Sequence, residues 1–255
     1  MIVAMAVLLA WQPDPAMLAK LYQQAFERSK QEYGASDART IQAARDLGLF
    51  LSKNGAAAGA RQVFLEVVSV DEKAVGAEAP QTLADIASLA NVSPPEAAEP
   101  LWRRASESPE FAVAARAFAA LGQLRERAGD LPGAAAFYGK ALDHEERAVA
   151  AADAISEKAR LAILAGGVAQ VLSQISEPPA GIAALQRALV IERSVLGPRH
   201  PETATTQANL AGVLLDANAA DESRRLIAEA LEILEQTMGR DHPRVAVSAT
   251  ILAHG

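Results

Sequence analysis

ALVIERSVLGPRHPETATTQANLA, residues 188–211, is written a second time as ALEILEQTMGRDHPRVAVSATILA, residues 230–253, an offset of 42 positions. The offset pairs Ala188 with Ala230, Leu189 with Leu231, Ile191 with Ile233, Gly197 with Gly239, His200-Pro201 with His242-Pro243, Ala204 with Ala246, and Leu210-Ala211 with Leu252-Ala253. A fixed period of about 20–50 residues marks a stacked-repeat architecture rather than one closed domain. Apolar residues recur at helical intervals up to Gly197, which can take the left-handed conformation that closes a helix. Pro201 drives His200 out of the helical region and suits the first turn of a new helix, so Gly-x-x-His-Pro is a stop followed by a restart. Each unit is then a helix pair that buries its apolar faces by stacking on the next.

Composition agrees. The 255 residues are 51% hydrophobic but only 4% aromatic, and alanine-rich, which suits helices packed through small side chains better than a sheet sandwich. The expected fold is therefore all-α. A net charge of −7 opposes binding to a phosphate backbone, which needs a basic surface, so nucleic acid is not an expected partner. The absence of cysteine excludes disulfides, thiolate metal sites and thiol nucleophiles. Ile2–Ala10, IVAMAVLLA, is too short to span a bilayer and has the length of a secretory signal core, followed by a proline-broken WQPDPA linker. This reading puts the mature chain in the periplasm or outside the cell; as the capping helix of the array, the same stretch would leave the protein cytoplasmic. Residues 1–16 are set apart as signal or linker, and 17–255 as the repeat array, about five helix pairs and a terminal half-repeat.

Outward from the duplicated stretch, the 42-residue period returns near the N-terminus, where Gly34 matches Gly76, Thr40 matches Thr82 and Leu47 matches Leu89. Helices are expected over 17–33, 38–53, 56–74 and 80–91, and Ser93-Pro94-Pro95-Glu96 has the pattern of a capping-box start for a helix reaching Glu107. Residues 149–176 read as one long helix interrupted at Gly166-Gly167, with Ser176-Glu177-Pro178-Pro179 turning the chain into the next helix. The last unit, from Asp241, has only its first helix. Its apolar Ile251 and Leu252 favour a chain cut from a longer array over a polar terminal cap.

Leu121, Gly122, Gly129, Ala134, Tyr138 and Ala141 fall at the intervals of a 34-residue helix-turn-helix unit, and this stretch resembles a tetratricopeptide repeat. The 42-residue units resemble the longer repeat of kinesin light chains and many bacterial proteins, through Ala188, Leu189, Ile191, Glu192, Leu196, Gly197, His200, Pro201, Ala204, Asn209, Leu210 and Ala211. The resemblance implies a right-handed α-solenoid, a superhelix of stacked antiparallel helix pairs that binds an extended partner on a concave face lined by the first helix of each pair. In that register Asp46 and Ser88 occupy the position of Asn209. Gln42, Arg45, Arg116, Gln123, Thr205 and Asp216 lie on the same faces and complete the expected partner-binding set. An Asn amide there can donate to and accept from a peptide backbone. The clustered Lys and Asn residues with which chaperone-binding relatives clamp a terminal carboxylate are absent.

No catalytic constellation competes with this reading. His144-Glu145 begins like a zinc-protease motif, but Ala148 stands where the second histidine must be. His200 and His242 sit in equivalent turns on the order of 10 Å or more apart, whereas a shared metal needs its ligands about 3–4 Å apart. There is no nucleophile elbow, phosphate loop or dinucleotide fingerprint, and the acids fall beside Arg and Lys as solvated helix faces do. The expectation is a non-enzymatic scaffold with no cofactor or metal and no membrane span, binding a protein or peptide partner. The alternative is a sensory or regulatory repeat segment of a larger signalling protein.

Overall fold

Four glycines set the rhythm of the helices. Gly34, Gly76, Gly197 and Gly239 all have positive φ, between 84° and 103°, a region that costs a side chain energy and a glycine nothing. Each ends a helix where the 42-residue pairing placed it. The structure, a computed structural model, describes residues 14–254, which form twelve α-helices and no strand. The Ile2–Ala10 stretch, expected as a secretory signal, lies outside the described residues.

The helices divide into two compact units, the first ending at Ser108 and the second beginning at Pro109. The first unit holds α1 (Pro15–Tyr33), α2 (Ala38–Lys53), α3 (Ala57–Ala74), α4 (Pro80–Asn91) and α5 (Pro95–Ala105), each packed on the next. Asp14 and Asp37 cap α1 and α2 by accepting the backbone N–H two residues on, at 3.0 and 2.9 Å. The core joins Phe26 of α1, Ile41, Ala44 and Leu47 of α2, and Val67 of α3. Gly48 allows the closest approach: a Cβ there would lie 2.8 Å from the Phe64 ring. The expected capping box at Ser93 does not form. Ser93 Oγ instead donates 2.7 Å to Leu89 O on α4, and the residue preceding α5 is Pro94, which has no side-chain hydrogen bond to give.

The second unit holds α6 (Phe111–Arg127), α7 (Leu131–Ala151), α8 (Ile155–Ile175), α9 (Pro178–Val195), α10 (Pro201–Asp216), α11 (Ala220–Met238) and α12 (Pro243–His254). Neighbours in sequence pack as antiparallel pairs, and α8, α10 and α12, the first helices of successive pairs, also touch one another in turn. This is an all-α solenoid. Tyr138, Leu142, Ala165, Ala169, Leu185, Ala188, Leu189, Leu210 and Leu214 form the main core, and Ala204, Ala211, Ile227, Ala230 and Leu234 continue it.

One sequence reading needs correction here. The 149–176 stretch breaks at Ala152–Ala154, between α7 and α8, and α8 runs unbroken through Gly166-Gly167. Gly166 is packed by Glu192 of α9 and Thr206 of α10, and the packing of α8 around it outweighs the roughly 1 kcal/mol penalty of each mid-helix glycine, although Gly167 faces open space. The histidines of the His-Pro pairs are also more than turn residues. The Nδ1 of His200 accepts from Glu202 N and that of His242 from Arg244 N, each at 3.2 Å, so both rings serve as helix N-caps.

Candidate partner-binding surface

The first-helix face of the second unit is built from positions that repeat. Pro201 starts α10, which turns Thr205 and Asn209 to one side; Pro243 starts α12, which brings Arg244, Val247, Ser248 and Ile251 against them. Gln170 joins from α8. Together with Ala208 and Leu234 these residues enclose a cleft of about 290 Å³. Ala208, Leu234, Val247 and Ile251 supply an apolar lining, and Val247 is 60% exposed.

The polar groups of the cleft fall into two sets. Arg244 Nη1 donates to Glu202 Oε1 at 2.8 Å and to Thr205 Oγ1 at 3.2 Å, while the Thr205 hydroxyl donates to Pro201 O at 2.9 Å. Ser248 Oγ donates to Arg244 O at 2.9 Å. Arg244 thus joins α12 to α10, while the Thr205 and Ser248 hydroxyls donate within their own helices. The side-chain amides of Gln170 and Asn209, by contrast, make no hydrogen bond among the described residues, and both line the cleft. Each brings two donors and one acceptor to a partly apolar recess.

Of the expected binding residues, Thr205 and Asn209 come together in this cleft, while Asp216 closes α10 outside it as an exposed residue. Arg116 and Gln123 are exposed on α6 two turns apart. In the first unit the candidates are occupied internally. Gln42 Nε2 donates to Asp46 Oδ1 at 2.9 Å, and Ser88 Oγ back-bonds to Ala84 O at 3.1 Å. Arg45 is held between two buried acids, with Nη2 2.6 Å from Asp71 Oδ2 and 2.9 Å from Asp85 Oδ2, so it ties α2 to α3 and α4. Burial pushes the Asp85 carboxyl up to about 6, against the downward pull of Arg45 and with Asp71 adding to the rise.

Sequence reasoning passed over Gln170, Arg244, Val247, Ser248 and Ile251. A signal was present for three of them: the 42-residue offset carries Thr205 to Val247 and Asn209 to Ile251, and a second offset reaches Gln170. The pairs Ala141/Ala188 and Leu142/Leu189 give α7 and α9 an offset of 47, and the same offset carries Gln123 to Gln170.

Two further acids are buried on second helices. Glu145 of α7 is 4% exposed and Glu192 of α9 is 1% exposed, and each has an Oε2 with no hydrogen-bond partner. Burial pushes both up to about 7; Arg160 opposes the rise at Glu145, and the Thr206 hydroxyl opposes it at Glu192. They share the 47-residue offset, so they occupy one structural position in successive repeats. Among the described residues, no three His, Asp or Glu side chains are gathered to hold a metal ion. No described helix is long and apolar enough to cross a membrane.

Residues 160–236, which supply α9, α10 and most of α8 and α11, match the tetratricopeptide repeat family. Residues 160–236 carry tetratricopeptide repeats. The fold extends the likeness beyond the matched segment. BtubC (BKLC) of P. vanneervenii superposes with a TM-score of 0.64 at 16% identity, over 91% of this chain and 95% of that one. A Podosopora anserina kinesin light chain protein of nearly identical TPR-like repeats superposes with a TM-score of 0.53 at 17% identity, covering 78% of this chain and 96% of that one. MamA gives 0.50 at 16% identity, covering 81% and 98%. At these identities the likeness is one of fold: tetratricopeptide helix pairs of the kinesin-light-chain kind. No curated protein matches the chain in sequence. Proteins built on this repeat generally mediate protein–protein interaction.

Proposed function

We propose that this protein is a non-catalytic interaction scaffold that takes an extended segment of a protein partner into the cleft between α8, α10 and α12. The observation that carries the reading is the pair of free amides, Gln170 and Asn209, facing one cleft that has an apolar lining. An extended chain presents alternating N–H and C=O groups that such amides can satisfy, and apolar side chains for which Ala208, Val247 and Ile251 provide contact. The tetratricopeptide repeats across 160–236 support it, since the cleft is made by their first helices and the helix that follows.

Site-specific photo-crosslinking tests the reading. A photoreactive residue at Val247 captures the partner in cells, and Gln170→Ala with Asn209→Ala abolishes the capture while leaving thermal unfolding unchanged. Equal capture from Glu229, exposed on the second helix α11, would sink the proposal.

A further inference from the structure

The two most water-exposed large apolar side chains among the described residues, Ile155 at 80% and Val190 at 70%, line the same groove. Ile155 is the first residue of α8, and Val190 lies in α9. With Val149 of α7 and Ile191 and Val195 of α9 they wall a recess of about 540 Å³. Single exposed apolar residues are ordinary on a protein surface, but several gathered on one open groove mark a face that another molecule covers. The groove is built mainly by the second helices α7 and α9 and shares no residue with the cleft of Gln170 and Asn209.

The charges around it are sorted by side. Lys158 lines the groove, and its ammonium makes no hydrogen bond or ion pair among the described residues, whereas the acid of the groove, Glu146, is already held by Arg187 at 2.6 Å. Asp153 and Glu157 line a different recess, of about 480 Å³, together with Phe111 and Leu161. Their carboxylates are also unpaired among the described residues. The start of α8 is therefore an exposed ridge that carries Ile155, with a free cation toward one recess and two free acids toward the other.

A partner of one charge sign would satisfy only one side of this ridge. A second copy satisfies both, because a two-fold axis brings a patch against itself and so sets each copy's cation against the other's acids, and each ridge against a groove. We infer that this protein forms a two-fold dimer in which each copy seats Ile155 in the Val190 groove of the other and pairs Lys158 with the other's Asp153 and Glu157. The dimer does not depend on the proposed scaffold function, but it extends it: two first-helix clefts in one particle hold a partner with two binding segments by avidity, without any new contact.

Sedimentation velocity on the full chain tests this over about 1 to 200 μM, a range that reaches a small interface, and with added salt, which screens exposed charge pairs. A monomer–dimer equilibrium that weakens with salt is expected. Ile155→Asp or Val190→Asp weakens association at least tenfold, and Val75→Asp, at another exposed apolar residue, leaves it unchanged. Neither Lys158→Glu nor the double variant Asp153→Lys with Glu157→Lys dimerises alone. An equimolar mixture of those two proteins does, because every contact in the mixed pair again joins opposite signs, and a folding defect cannot produce that rescue. A monomer throughout the range, a dimer that survives both Ile155→Asp and Val190→Asp, or a mixture that stays monomeric overturns the proposal. A monomer from which a photoreactive residue at Val190 captures a different protein gives the groove to that partner and overturns it as well. Capture at Val247 reads the scaffold function separately, since that residue lines only the other surface.

Discussion

The carboxylate of Glu192 occupies the space above Gly166: a methyl group at that glycine would lie 2.1 Å from Glu192 Oε1 and 3.1 Å from Thr206 Oγ1. In the first unit, Asp71 of α3 and the arginine it binds, Arg45, hold the matching positions. The shared offset to Asp71 follows from Phe64 and Tyr138, which pack on Gly48 and Gly122, and places Arg45 at the position of Ala119 and then of Gly166. One repeat neutralises its buried acid with a guanidinium, and another makes room for the acid by deleting the opposing side chain.

Gly166→Ala should therefore destabilise the protein, and its neighbour should not. Glu192 is almost wholly buried and cannot swing out, so the added methyl overpacks the α8–α9 contact at a cost of about 1–3 kcal/mol. A Cβ at Gly167 meets nothing within 4 Å. Gly167→Ala is expected to raise stability by about 0.5–1 kcal/mol through helix propensity alone. Denaturant unfolding of the two variants should give midpoints on opposite sides of the parent's; a Gly166→Ala midpoint at or above the parent's would refute the packing account.

Stability should fall as the solution is made alkaline through neutrality. Glu145 and Glu192 have folded-state values of about 7 against an ordinary 4.5, so the folded protein holds the protons more tightly than the unfolded chain. Their contribution is fully present below pH 4.5 and is lost as pH rises through 7, by roughly 3 kcal/mol for each acid. Glu192→Gln keeps the shape without the titration. Its unfolding midpoint should change less between pH 5 and pH 8 than the parent's, and an unchanged slope would contradict the assignment.

Removing Arg45 should be costly for a different reason. Arg45→Ala leaves Asp71 and Asp85, both 3% exposed, as uncompensated buried acids, and breaking such a pair costs about 3–5 kcal/mol. Replacement of all three residues by apolar ones of similar volume should recover most of that loss. Hydrogen exchange in α2–α4 provides the readout, and protection that survives Arg45→Ala unchanged would show that the triad is not what joins these helices.

His200 supplies a cap, so the replacement matters more than the loss of the ring. His200→Ala is expected to cost about 1 kcal/mol, and His200→Asp to restore it, because an aspartate oxygen can accept from Glu202 N as the Nδ1 does. Thermal unfolding of the two variants separates this from a packing role, in which neither substitution would recover stability.

Much of the helical pattern was legible because its signals are local. Gly197 and Gly239 stop helices and Pro201 and Pro243 start them through the conformations of single residues, and the apolar spacing between them shows which face is buried. The break at Ala152–Ala154 was misplaced to Gly166-Gly167 for the same reason: local propensity marks glycines as weak points, whereas Gly166 is covered by Glu192 of α9 and Thr206 of α10 and the alanine stretch is largely exposed. The proposed binding cleft was legible in half. Thr205 and Asn209 were found from the repeat register, but Arg45 was read as a groove residue because nothing near it in sequence announces Asp71 and Asp85.

By itself, then, the sequence determined the all-helical class, the repeat period and the positions of the stops and restarts, each a matter of a few adjacent residues. Only the tertiary structure decided which polar groups are engaged and which are free. Arg45 is neutralised by residues 26 and 40 positions away, Glu192 lies over a glycine 26 positions before it, and Gln170 and Asn209 meet in one cleft from separate helices. Those relations depend on how helices stack, and stacking is set by the summed fit of many small side chains that no single stretch of the chain records.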